Sequence, residues 1–232
     1  MLFPVPLVRG SLVRRYKRFF GEVLLDGGEL VTAHCANTGA MIGLSAPGSE
    51  VWLSPAGGSG RKLLWNWEMV RVDGGLVGVH TGHPNRLVAE AVRDGRIPEL
   101  AGYETMRAEV RYGRNSRIDL LLEADGRPKC YVEVKNVHLK RGTAAEFPDA
   151  VTMRGAKHLA ELAAMAAAGC RAVMVFLVQR GDCDHFRIAG DIDPGYAAAL
   201  AKAMADGVEA ICYSCALDLE GITVHRPLTM AL

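Results

Sequence analysis

The sequence predicts an α/β (α+β) chain in two parts: an N-terminal β-barrel of the OB-fold kind, then a mixed sheet flanked by helices. Three observations predict it. Across residues 8–79, short β-prone runs alternate with turns rich in Gly, Pro, Asn and Asp. From residue 85 onward, helical spacing appears and alternates with strands, one of them wholly apolar. The length of 232 residues also exceeds the usual size of a single domain. The change of character near residues 81–84 places the expected boundary between 1–82 and 83–232.

In the first part, FGEVLL, ELVTAH, GAMIGL, EVWLS, KLLWNWEMVRV and LVGVH read as strands. Turn signals at Asp26-Gly27-Gly28, Asn37-Thr38-Gly39, Pro47-Gly48, the loop 57–60 and Asp73-Gly74-Gly75 divide them. That spacing suits a five-stranded barrel, with a sandwich fragment as the alternative. In the second part, Leu87, Val88, Ala91 and Val92 recur at helical spacing over 85–93, and Gly95 closes that helix. Strands are expected at 104–112, 117–122 and 130–137, followed by a long helix at 149–168 that Gly169 ends. The apolar strand 172–178, a helix at 193–205 and late strands at 208–215 and 222–224 complete the pattern.

Composition narrows the function classes. Half of the residues are hydrophobic, 23% are charged and the formal net charge is +1, which describes a globular chain rather than a disordered one. Nucleic-acid binding therefore has to come from local basic patches, because steering depends on the surface field and not on the sum of charges. No run approaches the roughly 18–20 apolar residues of a membrane-spanning helix. The N-terminal basic residues follow the apolar ones, the wrong order for a secretory signal, so a cytoplasmic location is expected. Six cysteines are too few for a disulfide scaffold, and Cys212-x-x-Cys215 lacks the second pair that a structural zinc site usually has. Neither a G-x-x-x-x-G-K-[ST] loop nor a G-x-S-x-G elbow occurs.

The most informative stretch is SRIDLLLEADGRPKCYVEVKNVHL, which reads as two strands joined at Asp125-Gly126. Alternation puts Glu133 and Lys135 on one face and Val132 and Val134 on the other. Asp119 and Glu133 each lie seven positions from Gly126, so a symmetric hairpin sets them opposite one another. Two adjacent carboxylates repel unless a cation sits between them, and an all-oxygen site suits Mg²⁺ or Mn²⁺. With Lys135 beside it, such an ion carries phosphodiester hydrolysis chemistry. The bland alternative is a solvated strand face with a cross-strand ion pair.

Asp119 followed by Glu133-Val134-Lys135 resembles the PD-(D/E)XK nuclease motif, with Ile118 in place of the leading Pro. Further segments are RRYKRF at 14–19, HCANTGAMIGL at 34–44, RKLLW at 61–65, PNRLVAEAV at 84–92, YGRNSRIDLLL at 112–122, YVEVKNVHL at 131–139, FPDAVTMRGAKHLAEL at 147–162 and FLVQR at 176–180. Together they resemble the sugar fermentation stimulation protein A family over nearly the whole chain. Ala36 and His80 depart from that pattern, where Pro and Asn are expected. The resemblance implies an OB-like N-terminal domain, a PD-(D/E)XK nuclease-like C-terminal domain, and DNA as partner. Since such a fold does not guarantee hydrolysis, a non-catalytic DNA-binding regulator of sugar metabolism genes stands beside a metal-dependent deoxyribonuclease.

Supporting residues follow from this frame. Glu90 occupies the helix position where related nuclease folds supply a third metal-binding carboxylate, or else it is an exposed helix residue. Arg117 shares the face of Asp119, and Gln179 ends an apolar strand; both are candidates for phosphate contact. Arg154, Lys157, His158 and Glu161 form one polar stripe opposite Val151, Leu159, Leu162 and Met165, so Arg154 and Lys157 can reach a DNA backbone. Arg14, Arg15, Tyr16, Lys17 and Arg18 combine positive charge with an aromatic ring, which suits phosphate contact and base stacking. On a strand, Arg14, Tyr16 and Arg18 would share one face and Arg15 and Lys17 the other. Arg61 and Lys62 are weaker candidates for the same surface, and the sequence assigns no oligomeric state.

Overall fold

The computed structural model describes residues 1–57, 60, 62–113 and 116–231. The N-terminal strands are β1 (Val8–Tyr16), β2 (Phe20–Leu25), β3 (Leu30–His34), β4 (Glu50–Pro55), β5 (Trp65–Val72) and β6 (Gly75–Gly78). They run in the order β3-β2-β1-β4-β5-β6, and a parallel pairing of β3 with β5 joins the ends of the first five into an OB-like barrel, with β6 added outside the ring. Inward residues Leu12, Val23, Val31, Ala33, Val51, Leu53 and Trp67 fill it. A side chain at Gly21 would meet the Trp67 ring at 3.0 Å, so that glycine lets β2 pass over the indole.

Two expectations for this half are corrected. GAMIGL forms no strand: Met41 (φ 51°) and Gly43 (φ 76°) adopt left-handed conformations that no extended run accommodates, and Met41 and Leu44 turn in to join the barrel core. The face assignment of the basic cluster holds only as far as Tyr16, because Lys17 (φ 47°) and Arg18 (φ 64°) form the turn into β2.

The second part is built on a six-stranded sheet ordered β15-β14-β12-β9-β8-β7. Its strands are β7 (Thr105–Tyr112), β8 (Ser116–Glu123), β9 (Cys130–Val137), β12 (Arg171–Val178), β14 (Glu209–Leu217) and β15 (Ile222–Pro227). The central three, β9, β12 and β14, are parallel, and β12 is buried from Ala172 to its end, as an apolar strand covered on both faces must be. Helix α1 (Pro84–Arg93) packs on one face. Helices α2 (Met153–Ala167) and α3 (Pro194–Ala205) pack on the other. A small sheet of β10 (Leu139–Arg141), β11 (Ala144–Phe147), β13 (His185–Ile188) and β16 (Thr229–Ala231) was not expected from the sequence, since three- and four-residue strands carry too little periodicity.

Helix α2 starts four residues later than expected. Thr152 caps it by accepting from the Gly155 N–H at 3.1 Å, while Asp149 is engaged elsewhere by the Met41 N–H at 3.0 Å and by His138 at 3.1 Å. Val151 consequently lies outside the helix and is exposed. The two parts meet where β6 docks on the end of β12: the Gly78 N–H donates to the Gln179 carbonyl at 2.8 Å, and Val77 bridges Arg180. Buried Arg180 anchors this joint through Asp182 and the His138 carbonyl. Among the described residues, no helix is long and apolar enough to cross a membrane.

Candidate functional site

The β8–β9 hairpin pairs Leu120 with Val132, Leu121 with Tyr131 and Leu122 with Cys130, the register that sets Asp119 against Glu133. Backbone pairing stops at Leu120, because the Asp119 side chain takes the place of a ladder carbonyl and accepts from the Val134 N–H at 2.7 Å. Its other oxygen accepts from Asn85 Nδ2, at the start of α1, at 2.7 Å. Both contacts aim the carboxylate. On β9, Glu133 Oε1 accepts from Lys135 Nζ at 2.7 Å and also meets His158 Nδ1 of α2. Lys135 Nζ lies 3.5 Å from that same ring nitrogen, so the carboxylate, the amine and the imidazole form one cluster.

Electrostatics separate the two carboxyls. Burial and then the Glu133 charge raise Asp119 to about 6, against the opposing pull of the Val134 N–H, Lys135 and Asn85. Burial also pushes Glu133 up, but His158 and Lys135 outweigh it and hold this carboxyl below its ordinary value. Buried oxygens without a hydrogen-bond partner gather near Glu133: its own Oε2, the hydroxyls of Tyr112 and Tyr196, and both carboxyl oxygens of Glu161, whose Oε1 lies 3.8 Å from the Lys157 ammonium. The tyrosines belong to the same neighbourhood, since the Glu133 charge reaches both hydroxyls and, after burial, pushes their ionisation up. Each such atom costs on the order of 1–3 kcal/mol if nothing satisfies it, so this pocket of oxygens fits a bound cation with its water shell.

Above lies an open cavity of about 510 Å³ lined by Glu109, Ser116, Arg117, Asp119, Arg154, Lys157 and His158. Asp119 borders it, whereas Glu133, 2% exposed, and Lys135 do not line it and connect to it through His158. The structure thus brings Asp119, Glu133, Lys135, Arg117, Arg154 and Lys157 together. Glu90 is not among them: it pairs with the N-terminal ammonium at 2.8 Å and with Arg86 at 3.0 Å, because residues 1–3 run along β15 beside α1. Gln179 does not line the cavity either, and is held at the joint with the barrel by Asn136 at 2.8 Å.

In the N-terminal cluster, Arg14 pairs with Glu22 at 2.7 Å and lies over the Tyr16 ring, which stacks on Phe20. Arg15 is spent on structure, donating to the carbonyls of Arg18, Asn37, Gly39 and Ala40. Lys17, Arg18 and Lys62 are exposed, and Arg61 lies outside the described residues.

The sequence reading left several site residues unassigned. His158 carried a signal, four positions after Arg154 in the polar stripe, and Arg154 Nε does donate to His158 Nε2 at 3.3 Å. Glu109 carried none. It sits on β7 opposite Asp119 of β8, in a left-handed conformation (φ 54°) where the ladder is interrupted, a conformation uncommon for a non-glycine residue. The Cys212 and Cys215 thiols enter cores on opposite faces of the sheet, so the C-x-x-C spacing brings no chelating pair together.

Comparison with known proteins is consistent across sequence and structure. Residues 13–79 match the model of the SfsA N-terminal OB domain, and residues 82–221 match the sugar fermentation stimulation protein RE domain. The chain is 66% identical over its whole length to a sugar fermentation stimulation protein homolog of Paramagnetospirillum magneticum, covering 98% of it. To the homolog of Rhodospirillum centenum it is 62% identical, with both chains covered completely. Its fold superposes with a TM-score of 0.91 on the structure of Pyrococcus furiosus SfsA in complex with Ca²⁺, at 27% identity over all of this chain and 98% of that one.

Proposed function

We propose that this chain, which belongs to the sugar fermentation stimulation protein family, binds DNA and holds Mg²⁺ or Mn²⁺ at Asp119 and Glu133 for hydrolysis of a phosphodiester bond. The carrying observation is the concentration of buried oxygens without hydrogen-bond partners near Glu133, beside an Asp119 carboxyl whose proton affinity is raised by burial and by the Glu133 charge. That Pyrococcus furiosus SfsA takes Ca²⁺, another hard oxygen-seeking cation, supports a metal of this class.

When bound, the ion would offset the two negative charges, polarise a phosphate oxygen and make a coordinated water more acidic. The protein's own contribution is positional. The Val134 N–H and Asn85 hold Asp119 in one orientation, and Lys135 and His158 fix Glu133. Lys135 supplies positive charge where charge develops on the phosphoryl group, while Arg117, Arg154 and Lys157 on the cavity wall receive the neighbouring phosphates. Residues 1–82 serve as the DNA-gripping domain, through Arg14, Tyr16, Lys17 and Arg18, and residues 83–232 as the chemical one. We place this work in the cytoplasm, where the six free cysteines persist as thiols.

A second reading, a DNA-binding regulator on the same fold that does not cleave, is favoured by the burial of Glu133, which does not line the cavity. Labelled single- and double-stranded DNA incubated with wild type, Asp119→Ala and Lys135→Ala, with and without Mg²⁺ or Mn²⁺, separates the two. Metal-dependent cleavage lost in both variants supports the enzyme, and binding without cleavage by the wild type supports the regulator. No salt-dependent DNA affinity at all rejects both.

Because protons compete with the cation for Asp119, whose carboxyl titrates at about 6, divalent-metal affinity is expected to weaken as pH falls below that value. The expected slope approaches about tenfold per pH unit on the acid side and flattens near neutrality. Calorimetric titration with Mn²⁺ between about pH 5 and pH 8 reads it, and a pH-independent affinity would remove Asp119 from the ligand set.

A further inference from the structure

A second cluster of metal-ligating side chains lies at the joint between the barrel and α1. Glu68, on β5, is 3% exposed. His80 and His83 lie in the segment leading into α1, and His83 occupies the N-cap position of that helix, its side chain left free of any capping bond. One ligand atom from each of the three lies within 4.8 Å of the others. Glu68 Oε2 is 2.6 Å from His83 Nε2, and Glu68 Oε1 accepts from the Ser54 hydroxyl at 2.6 Å, so the carboxylate is oriented from behind. The two imidazoles stack with centroids 4.2 Å apart and planes at 18°. Gly82 leaves room for this ring: a Cβ there would come within 2.9 Å of His80, and the Gly82 N–H donates to His80 Nδ1 at 3.1 Å.

We propose that Glu68, His80 and His83 form a binding site for a transition-metal cation of the Zn²⁺ type, one that fastens the barrel to the start of α1. Two imidazole nitrogens and one carboxylate oxygen form the donor set that Zn²⁺ and Co²⁺ accept with a water as fourth ligand, and one that hard ions such as Mg²⁺ do not select. The Ser54 hydrogen bond to the ligating carboxylate is the kind of outer support that such sites carry. Taking up the cation releases to solvent the proton held between His83 and Glu68 and costs His80 its contact with the Gly82 N–H. That contact is a single neutral hydrogen bond, weak beside a metal–imidazole bond. The consequence reaches further, because Asn85, two residues after His83, holds Asp119 at 2.7 Å. A cation at the joint would therefore stiffen the element that aims that carboxylate.

This inference is independent of the reading of the Asp119 site, and the test keeps them apart. The full chain, stripped with a chelator, is titrated with Zn²⁺ against a chromophoric competitor, and with Co²⁺ while its visible absorption is followed. The background variant Asp119→Asn/Glu133→Gln should retain one tight Zn²⁺ equivalent and a histidine-type Co²⁺ spectrum. In that background, His83→Gln and Glu68→Gln should each weaken Zn²⁺ on the order of 100-fold, and His80→Asn at least about tenfold. Should the two former variants fail to fold, His80→Asn decides, since Asn can still accept from the Gly82 N–H. Zn²⁺ affinity unchanged by His80→Asn in the folded Asp119→Asn/Glu133→Gln background, absence of tight Zn²⁺ binding by the wild type, or its loss in Asp119→Asn/Glu133→Gln alone would each overturn the proposal.

Discussion

Lys135→Met is expected to lower Mg²⁺-dependent DNA cleavage by roughly 100- to 1,000-fold, the usual cost of losing one preorganised group at a developing charge. Asp119→Asn should bring cleavage down to the metal-free background. Lys135 Nζ is held 2.7 Å from Glu133 and 3.5 Å from His158, so the methionine removes the charge while keeping most of the packing volume. If DNA is held mainly by the basic residues proposed above, the loss should fall on kcat rather than KM. Steady-state cleavage of a labelled duplex measures this, and a Lys135→Met enzyme with unchanged kcat would exclude the residue from the chemistry. Asp119→Asn has a second, opposite consequence. Since the folded state raises this carboxyl from 3.8 to about 6, its contribution to stability is present in full below the lower value and lost as pH rises through the upper one. Without divalent metal above about pH 7, Asp119→Asn should therefore melt higher than wild type, the pattern of a group kept for function at a cost in stability. Equal melting temperatures across that range would mean that the carboxylate is not crowded as described.

Trp67→Ala is expected to destabilise the protein by about 3–5 kcal/mol, the range for deleting a large aromatic from a packed core. Trp67 is fully buried at the centre of the barrel, with its Nε1 donating to the Met69 carbonyl at 3.0 Å and Gly21 closed over its ring. Neighbouring strands cannot collapse into the space, because the β3–β5 pairing fixes the ring's circumference. Urea denaturation followed by circular dichroism reads the change, and a loss below about 1 kcal/mol would contradict a barrel packed around this residue. Because Trp67 lies in the barrel core and Asp119 in the other half of the chain, divalent-metal binding at Asp119 by the protein that remains folded should be unaltered.

Much of the fold was legible because its long elements advertise themselves locally. The apolar run of β12 is an interior strand, the Leu87-Val88-Ala91-Val92 spacing is α1, and symmetry about Gly126 set the hairpin register that carries Asp119 and Glu133. The failures also have local causes. GAMIGL has strand-like composition, yet its left-handed backbone at Met41 and Gly43 answers to the need to plug the barrel. Glu90 has the spacing of a site residue, but its neighbours are the N-terminal ammonium and Arg86. The strands β10, β11, β13 and β16 exist only because they pair with one another, so no single one of them announced itself.

By itself, then, the sequence determined the elements, the hairpin register and the chemical character of Asp119, Glu133 and Lys135, since alternation and turn symmetry act over a few residues. Only the tertiary structure decided that His158 closes on Glu133 from α2, that Glu109 faces Asp119, and that Glu68 meets His80 and His83 at the joint. Each of these meetings joins elements separated along the chain. Their partners are selected by how sheets and helices bury apolar surface against one another, and that choice depends on the whole packed core rather than on any run of neighbouring residues.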